Sequence, residues 1–348
     1  MSFAETFCSE HPEVEIHVLL TRLPTFPTLW AHRVGFHFHV IPCSVPPPFF
    51  SFKIIRFLLE YAGAFLKAFL LLFHLKPALV VGFGSYSSVP GVLGAALFRI
   101  PILLHEQNAS VGRANQFLSL WADQIAVSFP DTGGKLSRRK TFWSGFPLRS
   151  DVYTDVGSTW HEKVNENTFT ALVFGGSQGA RRLNQVFLEA LNGFASEERT
   201  RFAVIHIVGH DGLDQVRASY QALGVVAEVF DFSDRIFDYY QRADLVIARS
   251  GAGTIFELAV FGCAAILIPY PHAYGHQRVN ARYLAQCDAA LVVDEEKLSA
   301  SLLRDAIRGL WRDHKRRVQL GENIRLLAKL NANHILTETA WKLMCERN

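Results

Sequence analysis

The apolar positions of this chain fall into short runs separated by helical stretches, which is the rhythm of a parallel α/β protein. Runs rich in branched and aromatic residues stand at Glu15 to Leu20, Phe36 to Pro42, Ala78 to Gly82, Pro101 to Leu104, Gln124 to Ser128 and Thr141 to Gly145. A second series follows at Thr170 to Phe174, Phe202 to Val208, Ala227 to Phe232, Leu245 to Ala248, Ala265 to Pro269 and Ala290 to Val293. Most are nearly continuous in apolar residues, as strands buried on both faces must be. Residues 3–10 read as the tail of an amphipathic helix, so the chain enters inside a helix rather than on a strand.

Ser51 to Leu75 is the most apolar segment. Lys53, Arg56, Glu60, Gly63, Lys67 and His74 recur along it at helical spacing and form a narrow polar stripe. That pattern fits a helix packed on a sheet or lying on a bilayer, not one crossing it. Phe49, Phe50 and Phe52 beside Lys53 and Arg56 tilt the reading towards a lipid surface. Gly145-Phe146-Pro147-Leu148-Arg149 and the polar stretch Asp151 to Asn167 mark a boundary near residue 150. The expected division is 1–150, 151–330 and a C-terminal helix, 331–348, that packs back on the first domain.

Composition narrows the class. The chain has 348 residues, 49% hydrophobic and 19% charged, which is globular and slightly apolar. A formal charge of +3 gives no argument for nucleic acid. The five cysteines are scattered, and no two of the 14 histidines make a helix-spaced pair beside an acid, so no metal site and no cofactor is expected. The first residues lack a secretory signal, which predicts a cytoplasmic location.

The candidate chemistry sits where strands end. Arg249-Ser250-Gly251-Ala252-Gly253-Thr254-Ile255-Phe256-Glu257 closes one strand and opens a helix. Bare backbone N–H groups at such a start hold anions, and Glu257 one turn in can accept from both hydroxyls of a ribose. Structurally, Glu257 could equally be a first-turn acid that offsets the helix dipole. Gly175-Gly176-Ser177-Gln178-Gly179 makes a second strand–turn–helix junction suited to a diphosphate. His276, Gln277 and Asn280 add sugar-reading donors, and His105-Glu106-Gln107-Asn108 ends another strand. Asn108 there could instead cap a helix beginning near Val111.

Together, Gly82-Phe-Gly-Ser-Tyr86, His105 to Asn108, Gly145 to Arg149, Gly175 to Arg181, Arg249 to Glu257 and His276 to Ala281 resemble the MurG family, in order and over nearly the whole chain. The resemblance implies a GT-B fold, with two Rossmann-like parallel-sheet domains facing a cleft. The first would be the acceptor and membrane side, the second the UDP-sugar-binding side. It implies inverting transfer of N-acetylglucosamine from UDP-N-acetylglucosamine to undecaprenyl-diphospho-muramoyl-pentapeptide, lipid I to lipid II, in peptidoglycan synthesis. The expected place of action is the cytoplasmic face of the bacterial inner membrane, as a peripheral protein among other cell-wall synthesis and division proteins.

Carried over by position, Asn108 contacts the donor sugar, and Arg149 and the Phe232–Ser233 segment lie at the uracil end. Ser177, with Gln178 and Gly179, binds the diphosphate, and Ser250 to Glu257 wrap the nucleotide sugar. Gln277, with His276 and Asn280, holds sugar hydroxyls. Phe146 and Ala264 depart from the family pattern tolerably. A larger departure is at the start. The family opens with a strand and a Gly-rich loop ending in the proposed general-base histidine, and this chain begins after it. The expectation is therefore an upstream extension, with Glu106 and His105 as substitute candidates for the base. Two alternatives remain: a UDP-N-acetylglucosamine 2-epimerase of the same build, or a non-catalytic module that binds UDP-sugar or lipid.

Overall fold

The computed structural model describes residues 2–22, 35–44, 53–149, 152, 168–176, 180–209, 212–271 and 275–346. Apart from Val152, the expected linker lies outside them, as do Phe49 to Phe52 and Ser177 to Gly179. The chain divides into two compact units, Met1–Arg149 with Asn331–Asn348, and Ser150–Leu330.

In the first unit α1 (Ser2–Glu10) leads to β1 (Ile16–Leu20) and β2 (Phe36–Val40), which pair in parallel as a sheet of their own. Then come α2 (Lys53–Leu75), β3 (Val80–Gly82), α3 (Ser88–Leu97), β4 (Ile102–Glu106), α4 (Arg113–Leu118), β5 (Gln124–Val127) and β6 (Thr141–Trp143). Strands β3 to β6 form a four-stranded parallel sheet in sequence order. The period of two along β4 and β5 decides what each face meets. Ile102, Leu104, Ile125 and Val127 join Leu72 of α2 and Val89, Val92 and Ala95 of α3 in one cluster. Leu103 and Ala126 point the other way, onto Phe3 and Phe7 of α1 and onto Leu336, Ala340 and Leu343. Both faces are thus covered, which is why these strands read as unbroken apolar runs. The α2–α3 crossing is tight: a Cβ on Gly94 would stand 2.8 Å from Leu72 Cδ1.

The second unit holds β7 (Phe169–Phe174), α5 (Arg181–Asn192), α6 (Ser196–Arg199), β8 (Phe202–Ile207), α7 (Leu213–Leu223), β9 (Val226–Phe230), α8 (Ile236–Arg242) and β10 (Leu245–Ala248). After them come α9 (Ala252–Phe261), β11 (Ala265–Leu267), α10 (His276–Gln286), β12 (Leu291–Val292), α11 (Ala300–Arg312) and α12 (His314–Arg325). The last helix, α13 (Ala332–Cys345), belongs to the first unit and packs beside α1. The sheet is six-stranded and its pairs are all parallel, in the order β12-β11-β10-β7-β8-β9. The order reverses between β7 and β10. Helices leaving those two neighbours go to opposite faces, and a crevice opens at their carboxyl ends.

Two local expectations change. The helix after Asn108 starts at Arg113 with Gly112 as its N-cap, so Asn108 does not cap it. Glu257 is the sixth residue of α9, beyond the first turn, which removes the dipole-offsetting reading.

Candidate functional site

At the switch point β7 and β10 run in register to their ends, Phe174 opposite Ala248. The chain leaves β7 through Gly175 and Gly176, the latter at φ +83°, a left-handed conformation that glycine adopts without strain. It leaves β10 through Arg249, whose guanidinium does not turn to a ligand. Arg249 makes a two-pronged pair with Glu295 (2.6 and 3.0 Å), donates to Ile268 O (3.1 Å), and lies 5.3 Å from the Tyr270 ring centre. It clamps the loops around the helix start.

Ser250 and Asn280, expected to touch substrate, have their side chains buried. Ser250 Oγ donates to Gln277 O (2.8 Å), and Asn280 Nδ2 donates to Ser250 O (3.3 Å). Their role is to tie the start of α9 to α10. Ile255 and Phe256 are also core residues, so only their backbone can serve a ligand.

Gly251 is the N-cap of α9, at φ −63° and ψ 148°, and no side chain caps the helix. The first intrahelical bond runs from Ile255 N to Gly251 O (3.0 Å), so the N–H groups of Ala252, Gly253 and Thr254 precede the helical ladder. Their sum is a localised positive field at the crevice. One turn on, Glu257 Oε2 accepts from Tyr240 Oη (2.8 Å). Burial, then the Glu257 charge and this bond, raise the Tyr240 phenol well above its ordinary range, so it stays a neutral donor. Sequence reasoning missed Tyr240. It comes from α8, and only the fold brings it to Glu257.

Around the same rim, Gln277 Oε1 accepts from Tyr270 N (2.9 Å), and His276 opens α10 after Gly275 at φ +78°. Ser233 Oγ accepts from Arg235 N (3.1 Å) and donates to Tyr239 Oη (3.3 Å), while the Phe232 ring is exposed.

The first unit has its own polar strand end. Glu106 is buried, and its carboxylate accepts four N–H groups. Oε1 takes Asn108 N (3.0 Å) and Asn108 Nδ2 (3.2 Å); Oε2 takes Gly112 N (2.9 Å) and Asn115 Nδ2 (2.9 Å). Asn115, which no motif singled out, also donates to His105 O (3.2 Å). It lies nine residues from Glu106, and no local spacing announces it. His105 is fully buried, with Nε2 3.2 Å from Gly145 O and 3.3 Å from Ser128 Oγ. Burial pulls its pKa down to about 4, against the smaller opposing effects of the Gly145 bond and the Glu106 charge. The imidazole is neutral at pH 7. Neither Glu106 nor His105 is open to an acceptor hydroxyl, so the expected base role does not fit them. Glu106 holds Asn108, half-buried at this strand end, in place. Arg149 is exposed at the end of this unit's first segment.

Residues 170–333 match the glycosyltransferase family 28 C-terminal domain, and residues 1–127 match the N-terminal domain of the same family. A Geobacter metallireducens protein is 36% identical over 288 residues, 82% of this chain and 77% of that one. It is named UDP-N-acetylglucosamine–N-acetylmuramyl-(pentapeptide) pyrophosphoryl-undecaprenol N-acetylglucosamine transferase. The chain belongs to the MurG family of glycosyltransferases. The fold agrees. The crystal structure of Acinetobacter baumannii MurG superposes with a TM-score of 0.77 at 24% identity, covering 98% of this chain and 95% of that one. A Neisseria meningitidis UDP-GlcNAc 2-epimerase, crystallised with UDP-GlcNAc, has a TM-score of 0.65 at 11% identity, with 98% and 96% covered. Both share the GT-B build, so fold alone does not separate transferase from epimerase. The sequence relation does.

Proposed function

We propose that this member of the MurG family transfers N-acetylglucosamine from UDP-N-acetylglucosamine to the undecaprenyl-linked muramoyl acceptor, lipid I, to give lipid II. The observation that carries the donor side is the uncapped start of α9, with the Tyr240-oriented carboxylate of Glu257 one turn on. The diphosphate lies on the N–H groups of Ala252 to Thr254, which stabilise charge developing on the leaving group. Ribose hydroxyls donate to Glu257. Gln277 and His276 are the sugar contacts we assign on the second unit. Ser233 beside the exposed Phe232 is assigned to the base. Ser177, Gln178 and Gly179 are likewise assigned to the diphosphate.

The membrane side rests on α2. Its buried face is Ala64, Ala68 and Leu72, while Ile55, Leu59 and Phe73 stay 63, 70 and 55% exposed. No helix among the described residues is long and apolar enough to cross a membrane. An exposed apolar helix face flanked by basic residues suits peripheral attachment to an anionic leaflet. Vesicles rich in anionic lipid should co-sediment the protein, and Leu59→Glu should release it. Equal recovery of both forms would remove α2 from the attachment.

The deciding experiment is a transferase assay with UDP-N-acetylglucosamine and a lipid I analogue, with product analysis. A disaccharide product supports the proposal. Conversion of UDP-N-acetylglucosamine to UDP-N-acetylmannosamine without acceptor would mean an epimerase, and UDP-sugar binding without turnover would mean a binding module.

A further inference from the structure

We propose that the β1–β2 sheet carries a divalent transition-metal site, with Glu15, His17 and His37 as ligands and His39 as the residue that orients His17. The strands pair in parallel with His17 directly opposite His37. Side chains alternate across a sheet, so Glu15, His17, His37 and His39 share one face. One ligand atom each from Glu15, His17 and His37 lies within 4.8 Å of the other two. The His17 and His37 rings stack at 4.8 Å and 20°, and His17 Nε2 stands 3.8 Å from Glu15 Oε2.

The second nitrogen of His17 strengthens the assignment. Its Nδ1 is 2.9 Å from His39 Nε2. When Nδ1–H donates to His39, the Nε2 lone pair is left on the Glu15 side, and an imidazole takes the place of the carboxylate or carbonyl that commonly fixes a ligating ring. Entry is open: the Glu15 side chain is 79% exposed, and that of His17 20%.

Two imidazoles and one carboxylate select the metal class. Ca²⁺ and Mg²⁺ require oxygen shells, whereas Zn²⁺ takes this set in a tetrahedron with water in the fourth position. The ligands sit at and before the N-terminal half of β1 and β2, away from the strand carboxyl ends that carry α/β ligand sites. The metal would fasten two strands whose sheet, among the described residues, has only two members.

The test uses the full chain, freed of metal by chelation and titrated with Zn²⁺ against a chromophoric chelator. Co²⁺ absorption serves as a second readout of imidazole ligation. We expect one tight equivalent. His37→Gln and Glu15→Gln should lose it with an unchanged circular dichroism spectrum, and His39→Ala should weaken it about 10- to 100-fold. His334→Ala, at a surface histidine elsewhere, should leave it intact. Absence of a tight equivalent in the unaltered chain would overturn the proposal. So would His37→Gln binding Zn²⁺ as tightly as the unaltered chain.

Discussion

The polar strand end after β4 and the helix start after β10 are alike in sequence, a few small and polar residues after an apolar run, yet the fold uses them oppositely. At β4 the one carboxylate is fully engaged: Glu106 takes four N–H groups, and His105 is sealed beneath. At β10 the side chains of Arg249, Ser250 and Asn280 brace the surrounding loops and α10, on Glu295, Gln277 O and Ser250 O, while the helix start has no side-chain cap. A satisfied network makes a rigid support, and an uncapped helix start makes an anion cradle. Ligand capacity follows from what the surrounding structure leaves unpaired, not from how polar the residues are.

The contrast can be broken most strongly at Glu106. Glu106→Gln puts an NH₂ against N–H donors, so it should lower stability by about 3 kcal/mol, read from the denaturant midpoint, as well as turnover. A variant of unchanged stability with only kcat reduced would return Glu106 to the role of base.

Each unit also seals in an imidazole: His105 in the first, and His206 between Tyr220 and Asn184 in the second. Burial lowers His105 to about 4 and His206 to about 3, against roughly 6.5 in the unfolded chain. The unfolded state then binds more protons, so stability is full above pH 6.5 and is lost as pH falls towards those values. Each group's share is at most roughly 3–5 kcal/mol. Urea midpoints at pH 7.5, 5.5 and 4.5 should fall in that order, and His206→Gln should flatten the fall. Equal midpoints at the three values would contradict both burials.

At the cradle, Glu257→Ala should weaken UDP-N-acetylglucosamine binding by about 1–3 kcal/mol in calorimetric titration, with the fold retained. Unchanged affinity would take Glu257 out of the site. A smaller effect, with opposite signs in its two readouts, is expected from Gly251→Asp. A Cβ there meets only Thr254 Oγ1 at 4.0 Å. The new carboxylate should cap α9 and raise stability by a few tenths of a kcal/mol. It should also repel the diphosphate and lower donor affinity about tenfold, or about 1.4 kcal/mol. Improved binding would exclude an anion at this helix start.

Much of the molecule follows from local order in the chain. Apolar runs such as Leu245 to Ala248 and Ile102 to Leu104 became buried parallel strands because both faces had to be covered. The glycine exits from β7 and β10 were legible because turn chemistry is local. Tertiary structure decided what depends on neighbours distant in sequence. Ser250 and Asn280 are 30 residues apart, and their bond turned two apparent ligand residues into braces. Tyr240 reaches Glu257 from 17 residues away, and Asn115 fastens Glu106 through a separate helix. The histidines of β1 and β2 carry no helix-spaced metal pattern. Strand pairing sets His17 opposite His37 and within hydrogen-bond reach of His39, 22 residues on, because register, which no local periodicity encodes, chooses which side chains meet.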